Sequence, residues 1–284
     1  MALKYGIFTV MCPEYDLEET AALAASLGFD GLEWRVTKKP PEPIEKTNYW
    51  TGNRSTVDVE NVEVDLPRAK AIADRHGLEM PILGTYLRCH EPEMVARVMK
   101  VAAEVGCPRM RVGAPAYDGT TPYEELYTRA VEQYGEIAKL ARRYRVQACV
   151  EMHMGIITPS AALTQRLVSH FDPAEIGVIF DPANMIVEGL ENYQMSLELL
   201  GPYLSHVHGK NATWVVKGEN DGVVEWGHLW SPMKRGQVDW RVVVAALKRA
   251  GYDGWVCFED FSEGDTETKL REALSYTKGL DTAE

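Results

Sequence analysis

Glu151, Asp181, His208 and Glu259 each stand at the C-terminal end of a short apolar run, in ACVEMH, GVIFDPAN, LSHVHGK and WVCFED. Three carboxylates and one imidazole offer oxygen donors plus a single nitrogen, a set suited first to Mn²⁺ and also to Mg²⁺, Co²⁺ or Zn²⁺, rather than to a thiolate-bound metal. Each residue alone has an ordinary alternative. Glu151 could be salt-bridged to an Arg or Lys, Asp181 could cap the turn at Pro182, and one of the neighbours Glu259 and Asp260 could face solvent. Four consecutive strand ends carrying such groups are hard to explain as four independent ion pairs. His206 shares a strand face with His208, and His153 lies two residues beyond Glu151, within reach of the same cavity as ligand support or as an acid/base.

These side chains need a scaffold that brings strand ends to one face. Strand-like runs fall at 4–11, 30–36, 79–87, 108–114, 147–153, 176–181, 203–209 and 254–260. Helix-like stretches lie between and after them, at 17–27, 66–76, 93–105, 122–145, 160–171, 193–200, 240–250 and 266–278. Eight strands, each followed by a helix, predict an α/β fold, a (β/α)8 TIM barrel forming a single domain over residues 1–284; roughly 250 residues is the usual size of such a barrel. Glycines in LGFDG, HGLEM, VGCPRM and AGYDG stand just past a helical period, where a left-handed cap ends a helix before the next strand. Two long loops are expected, 37–63 after the second strand and 211–237 after the seventh, the latter carrying Trp214, Trp226, His228, Trp230, Lys234 and Arg235. Both would emerge on the face of the quartet, as substrate lids or as oligomer contacts.

Composition narrows the partners. A formal charge of −12 opposes nonspecific binding to nucleic acid and to anionic membranes. The five cysteines show no CxxC spacing, and Cys149 and Cys257 sit in apolar runs as small hydrophobes, which fits a disulfide-free cytoplasmic protein. The stretch MALKYGIFTVM is too short for a signal peptide, and no apolar run approaches the ~18 residues of a membrane span.

From GFDGLEWR through VEMHMG, IFDPANM, HVHGKN and GQVDW to GYDGWVCFED, the chain resembles the xylose-isomerase-like barrel superfamily, which holds sugar isomerases and epimerases, inosose dehydratases and endonuclease IV. The resemblance implies that Glu151, Asp181, His208 and Glu259 are metal ligands, that Glu33 is the acidic residue ending the second strand, and that Gly236, Gln237 and Asp239 form a structural turn. It departs from the ketose 3-epimerases at Asn184, where they carry a histidine, at Thr158, where they carry a glutamate, and at Trp214, where they carry an arginine. Glu33, Asn184, His206, Lys210 and Trp214 are therefore the expected substrate contacts, for a ligand other than that of the ketose epimerases.

The implied chemistry is proton abstraction next to a carbonyl through a metal-bound enediolate, with Glu151, Glu259 and His153 as catalytic groups. Return of the proton makes an isomerase or epimerase of a keto sugar or related polyol ketone. Loss of a β-substituent makes a lyase, of the inosose dehydratase or 3-oxo-C-glycoside deglycosidase kind, with His153 or Lys210 assisting the leaving group. A nonenzymatic metal-binding subunit of a hetero-oligomer is the alternative from another class. A multinuclear zinc nuclease is disfavoured, because seven histidines are scattered through an acidic chain. The expected partner is a small carbohydrate, in a homo-oligomer or a hetero-oligomer.

Overall fold

Apolar runs bounded by turn residues become the wall of a closed parallel barrel, and alternating amphipathic stretches become its jacket. The computed structural model describes residues 3–40, 44 and 46–282. The chain begins with β1 (Lys4–Phe8), α1 (Leu17–Leu27), β2 (Gly31–Thr37), β3 (Thr56–Asp58), α2 (Val62–Arg75), β4 (Leu83–Thr85), α3 (Pro92–Glu104) and β5 (Arg109–Arg111). It continues with α4 (Tyr123–Tyr144), β6 (Gln147–Glu151), α5 (Ala161–Val168), β7 (Ile176–Phe180), α6 (Pro182–Val187), α7 (Tyr193–Leu200) and β8 (Leu204–Gly209). The last elements are β9 (Asn211–Asn220), β10 (Val223–Ser231), α8 (Trp240–Arg249), β11 (Trp255–Phe258) and α9 (Thr266–Thr282).

The hydrogen-bonded order β1-β11-β8-β7-β6-β5-β4-β2 closes through β1–β2 pairing, so eight parallel strands form a (β/α)8 barrel; β3 pairs with the C-terminal part of β2, Arg35–Thr37, without joining the ring. Strands covered on both faces read as continuous apolar runs, and β7 and β11 are buried at every position. Inside the barrel, Gly84 is required by close approach: a Cβ there would lie 2.2 Å from the Phe8 ring, which itself stacks on His208 at 5.5 Å between centroids. All four expected helix-exit glycines, Gly28, Gly77, Gly106 and Gly251, have φ between 69° and 82°. Among the described residues, no helix is long and apolar enough to cross a membrane.

Three expectations need correction. β4 and β5 are only three residues each, against the expected 79–87 and 108–114. α2 starts at Val62, ahead of the expected 66, because buried Val62 and an acidic first turn extend it past Pro67, which lies within the helix rather than at its start. The segment 211–237 is no open loop but carries the antiparallel hairpin β9–β10, closed by Asp221 (φ 49°) and Gly222 (φ 81°). An Asp-Gly pair with both residues left-handed is the two-residue hairpin turn that matches strand twist, and that signal lay in the sequence. Much of 37–63 stays irregular between β2 and β3, with residues 41–43 and 45 outside those described. It meets the hairpin at Phe261: Tyr49, Trp50 and Trp230 bring their ring centroids to 4.9, 4.9 and 5.7 Å from that ring.

Candidate metal centre and cavity

β6, β7, β8 and β11 are neighbours in the barrel wall, so the residues at or just past their C-terminal ends meet on one floor. Glu151, Asp181, His208 and Glu259 are all buried, and one ligand atom from each lies within 4.8 Å of the others. His208 Nδ1 is 3.0 Å from Glu151 Oε1 and 3.7 Å from both Asp181 Oδ2 and Glu259 Oε2. Octahedral donors ~2.1 Å from a small divalent ion stand ~3.0 Å apart along an edge and ~4.2 Å across, so the cluster has the dimensions of such a shell.

Asp181 satisfies both readings of its sequence position at once. Its Oδ1 caps α6, accepting from the backbone N–H groups of Ala183 and Asn184 at 2.9 Å each. Its Oδ2 turns to the cluster, where it is sealed from solvent and receives no aligned hydrogen bond, although Lys210 Nζ is 2.8 Å away. The Lys210 ammonium meets its charge there, and a divalent cation at the quartet would compete for the same oxygen. Beneath the quartet, Glu33 bridges two rings, with Oε2 3.0 Å from His206 Nε2 and Oε1 3.3 Å from His208 Nε2. Holding the far nitrogen of His208 in this way leaves Nδ1 directed at the quartet, as carboxylates behind metal-binding histidines do. Cys257 stands beside Glu33 and His206 in this lower group.

Packing three carboxylates together requires cations. Burial pushes the Glu151 carboxyl up, but the Arg111 guanidinium, 2.5 Å from Oε2, and His208 outweigh it and hold it well below the usual range. Asp181 is likewise held down against burial by Lys210 and His208. Glu259 goes the other way: burial raises it, and Lys210, 2.7 Å from Oε2, does not compensate with Glu151 and Asp181 so near. Glu33 would rise on burial but is held at about 2 by His208 and His206. Asp260, expected to be a solvated neighbour of Glu259, is buried instead and accepts from Ser262 at Oδ1.

Above the floor lies a cavity of ≈ 310 Å³. Glu151, Glu259, His153 and Lys210 border its polar side, and Trp50, Tyr86, Trp230 and Phe261 form aromatic walls. The His153 Nδ1 is 2.6 Å from the Met154 carbonyl oxygen, which can only accept, so Nδ1 carries the proton and Nε2 is left as an acceptor. Glu33, Asn184, His206 and Trp214, expected at the substrate, do not line this cavity. Glu33 and His206 lie below the quartet, fully buried. Asn184 donates to the Met152 carbonyl at 3.1 Å and to Glu151 Oε1 at 3.4 Å, and Trp214 turns its indole N–H to the Ile186 carbonyl at 2.7 Å.

Sequence reasoning missed Arg88, Arg111, Tyr86 and Trp50. Arg111 carries the same signal that exposed Glu151, a charged residue closing a short strand, and it sits 8% exposed beside that glutamate. Arg88 and Trp50 lie on irregular segments whose course no periodicity reveals.

A family model described as xylose isomerase-like TIM barrel matches residues 21–280. An inosose dehydratase from Bacillus licheniformis is 25% identical over 168 residues, which cover 56% of this chain and 56% of that protein. The chain thus spans little more than half the length of this curated relative. Among solved structures, D-psicose 3-epimerase from Clostridium cellulolyticum H10 superposes with a TM-score of 0.71 at 17% identity, covering 99% of this chain and 100% of the other. The 3-keto-D-glucoside 4-epimerase from E. coli gives 0.70 at 16% identity, covering 98% and 99%. At these identities the two structures share the fold with this chain.

Proposed function

We propose, for a chain that belongs to the xylose isomerase-like TIM barrel family, a divalent-metal-dependent enzyme that moves a proton next to the carbonyl of a keto sugar or related polyol ketone. The observation that carries this reading is the convergence of Glu151, Asp181, His208 and Glu259 on the floor of a sugar-sized cavity. A bound divalent ion, Mn²⁺ first among the candidates, would supply a Lewis acid for the carbonyl oxygen and a template for a neighbouring hydroxyl.

The chain's own residues divide the remaining work. Both oxygens of Glu151 are engaged, Oε1 with His208 and Oε2 with Arg111. Glu259 uses Oε2 for Lys210, and its Oε1 has no hydrogen bond among the described residues, so it is the better placed to take a proton from carbon. Glu151 and His153 border the same cavity; His153 can return a proton from Nε2 once that nitrogen has taken one from solvent, leaving a neutral imidazole, and Glu151 can do so only after it has itself accepted a proton. The aromatic walls exclude water and pack against the apolar face of a sugar.

Return of the proton to carbon gives an isomerase or epimerase, the first reading. Loss of a β-substituent gives a lyase, and two observations favour it as the second: Asn184 where ketose epimerases carry histidine, and the inosose dehydratase relative. Incubation of manganese-loaded protein in D₂O with keto sugars, inososes and 3-oxo glycosides separates them. Deuterium at carbon with the mass otherwise unchanged indicates isomerisation, and loss of water or aglycone indicates a lyase. The reading fails if no compound exchanges or reacts, or if Glu259→Gln keeps full activity.

A further inference from the structure

Arg88 projects into the cavity without an acidic partner. Its Nη1 donates to the Ala114 carbonyl at 2.7 Å, and no carboxylate among the described residues pairs with the guanidinium. Glu91, three residues on, places Oε2 on the backbone N–H of Arg88 at 2.7 Å instead. The adjoining wall is Tyr86 and Arg111. The Tyr86 hydroxyl is sealed from solvent with no hydrogen-bond partner, although the residue lines the cavity. The Arg111 guanidinium lies 4.5 Å from the Tyr86 ring centroid, and its donors hold Glu151 and the Thr85 carbonyl.

Ion pairing points the same way. Arg111 is taken up by Glu151 and Lys210 by Asp181 and Glu259, so among the described residues Arg88 is the cavity-lining arginine or lysine with no ion pair of its own. A neutral sugar could accept hydrogen bonds here but would leave the Arg88 charge without a counter-ion, whereas an anionic group would supply one.

We propose that the ends of β4 and β5 form an anion subsite, with Arg88 as its specificity-determining contact and Tyr86 as a hydrogen-bond donor, so that the ligand carries a carboxylate or phosphate away from its keto group. This rests on the keto-sugar reading of the cavity. The test compares D-fructose with D-fructuronate and D-fructose 6-phosphate, which keep the keto group and differ at the far carbon. Binding to manganese-loaded protein is followed by the fluorescence of Trp50 and Trp230 and by titration calorimetry. One or both anions should bind about tenfold or more tighter than fructose, the worth of one charge-assisted hydrogen bond, and whichever binds tighter identifies the group.

Arg88→Gln should weaken the preferred anion by about tenfold more than it weakens fructose, and Arg88→Lys should restore part of the difference. Tyr86→Phe, which deletes only the hydroxyl, should reduce it several-fold. Equal affinity for the three ligands, no binding by either anion, or an advantage that survives Arg88→Gln overturns the subsite. Because binding is read without turnover, failure here is distinct from failure of the D₂O exchange.

Discussion

Lys210 is the residue on which the two cation-binding states of the quartet depend. Its ammonium touches Asp181 and Glu259, two of the oxygens that would also hold a metal. In the metal-free protein it is the main counter-charge for both, since His208 Nδ1 is 3.7 Å from each. Removing one partner of a buried ion pair leaves the other uncompensated and costs about 3–5 kcal/mol. Lys210→Met should therefore lower the melting temperature of chelator-treated protein by on the order of 5–10 °C. The same change should tighten Mn²⁺ binding, because the empty site is destabilised and a like charge beside the ion is gone. Calorimetric melting with and without Mn²⁺ checks both parts, and a metal-induced rise no larger than in the unaltered protein would contradict them. At this scale the sequence was most readable where a polar residue interrupted an apolar strand, as at Glu151. It was least readable where a side chain's direction depended on its neighbours, so Asn184 divides its amide N–H groups between the Met152 carbonyl and Glu151, and Trp214 turns to the Ile186 carbonyl.

The hairpin β9–β10 shows how local chemistry can hold an element that the rest of the fold merely tolerates. Its outer strands are half exposed, with Val216, Val223, Trp226 and Leu229 turned outward, while Trp230 at its base borders the cavity. Asp221 and Gly222 both adopt positive φ, and Gly222 has open space where a Cβ would lie. Backbone strain rather than collision therefore decides a substitution there. Gly222→Val forces a β-branched residue into the left-handed region and should raise amide exchange across 211–231, with local destabilisation of about 1–2 kcal/mol. The barrel should melt within a few degrees of the unaltered protein, since turns at loop tips open without the core. Unchanged exchange in the hairpin would show that contacts at its base, such as Thr213 Oγ1 with Ser231 Oγ at 2.9 Å, suffice to hold it. Barrel strands and their helices were legible because burial on both faces imposes long apolar runs. The hairpin was passed over as a loop because its exposed strands lack that pattern, leaving the Asp-Gly turn as its only strong mark.

Across the whole molecule, the five cysteines are spread through the buried layers, unpaired, from Cys12 beside the first strand to Cys257 in the last. Burial pushes the thiols of Cys89, Cys107 and Cys149 up to about 12, while Cys12 and Cys257 are raised further still by the same cause. In an unfolded chain each would ionise near roughly 8.5. A raised folded value means that the contribution to stability is complete below the unfolded pKa and is lost as pH climbs toward the folded one, because the unfolded chain sheds protons that the native state retains. The cost is on the order of 1–2 kcal/mol per thiol at pH 10. Melting temperature should accordingly hold between pH 7 and 8 and fall steeply from pH 9 upward, and in native protein at pH 8 a thiol reagent should label all five sites slowly, at the rate of opening. Cys107→Ala, in a position that touches no residue of the proposed site, should flatten the alkaline fall by about the share of one thiol. A melting temperature level up to pH 10, or rapid native labelling at pH 8, would mean that these sulfurs reach water far more readily than a closed barrel allows.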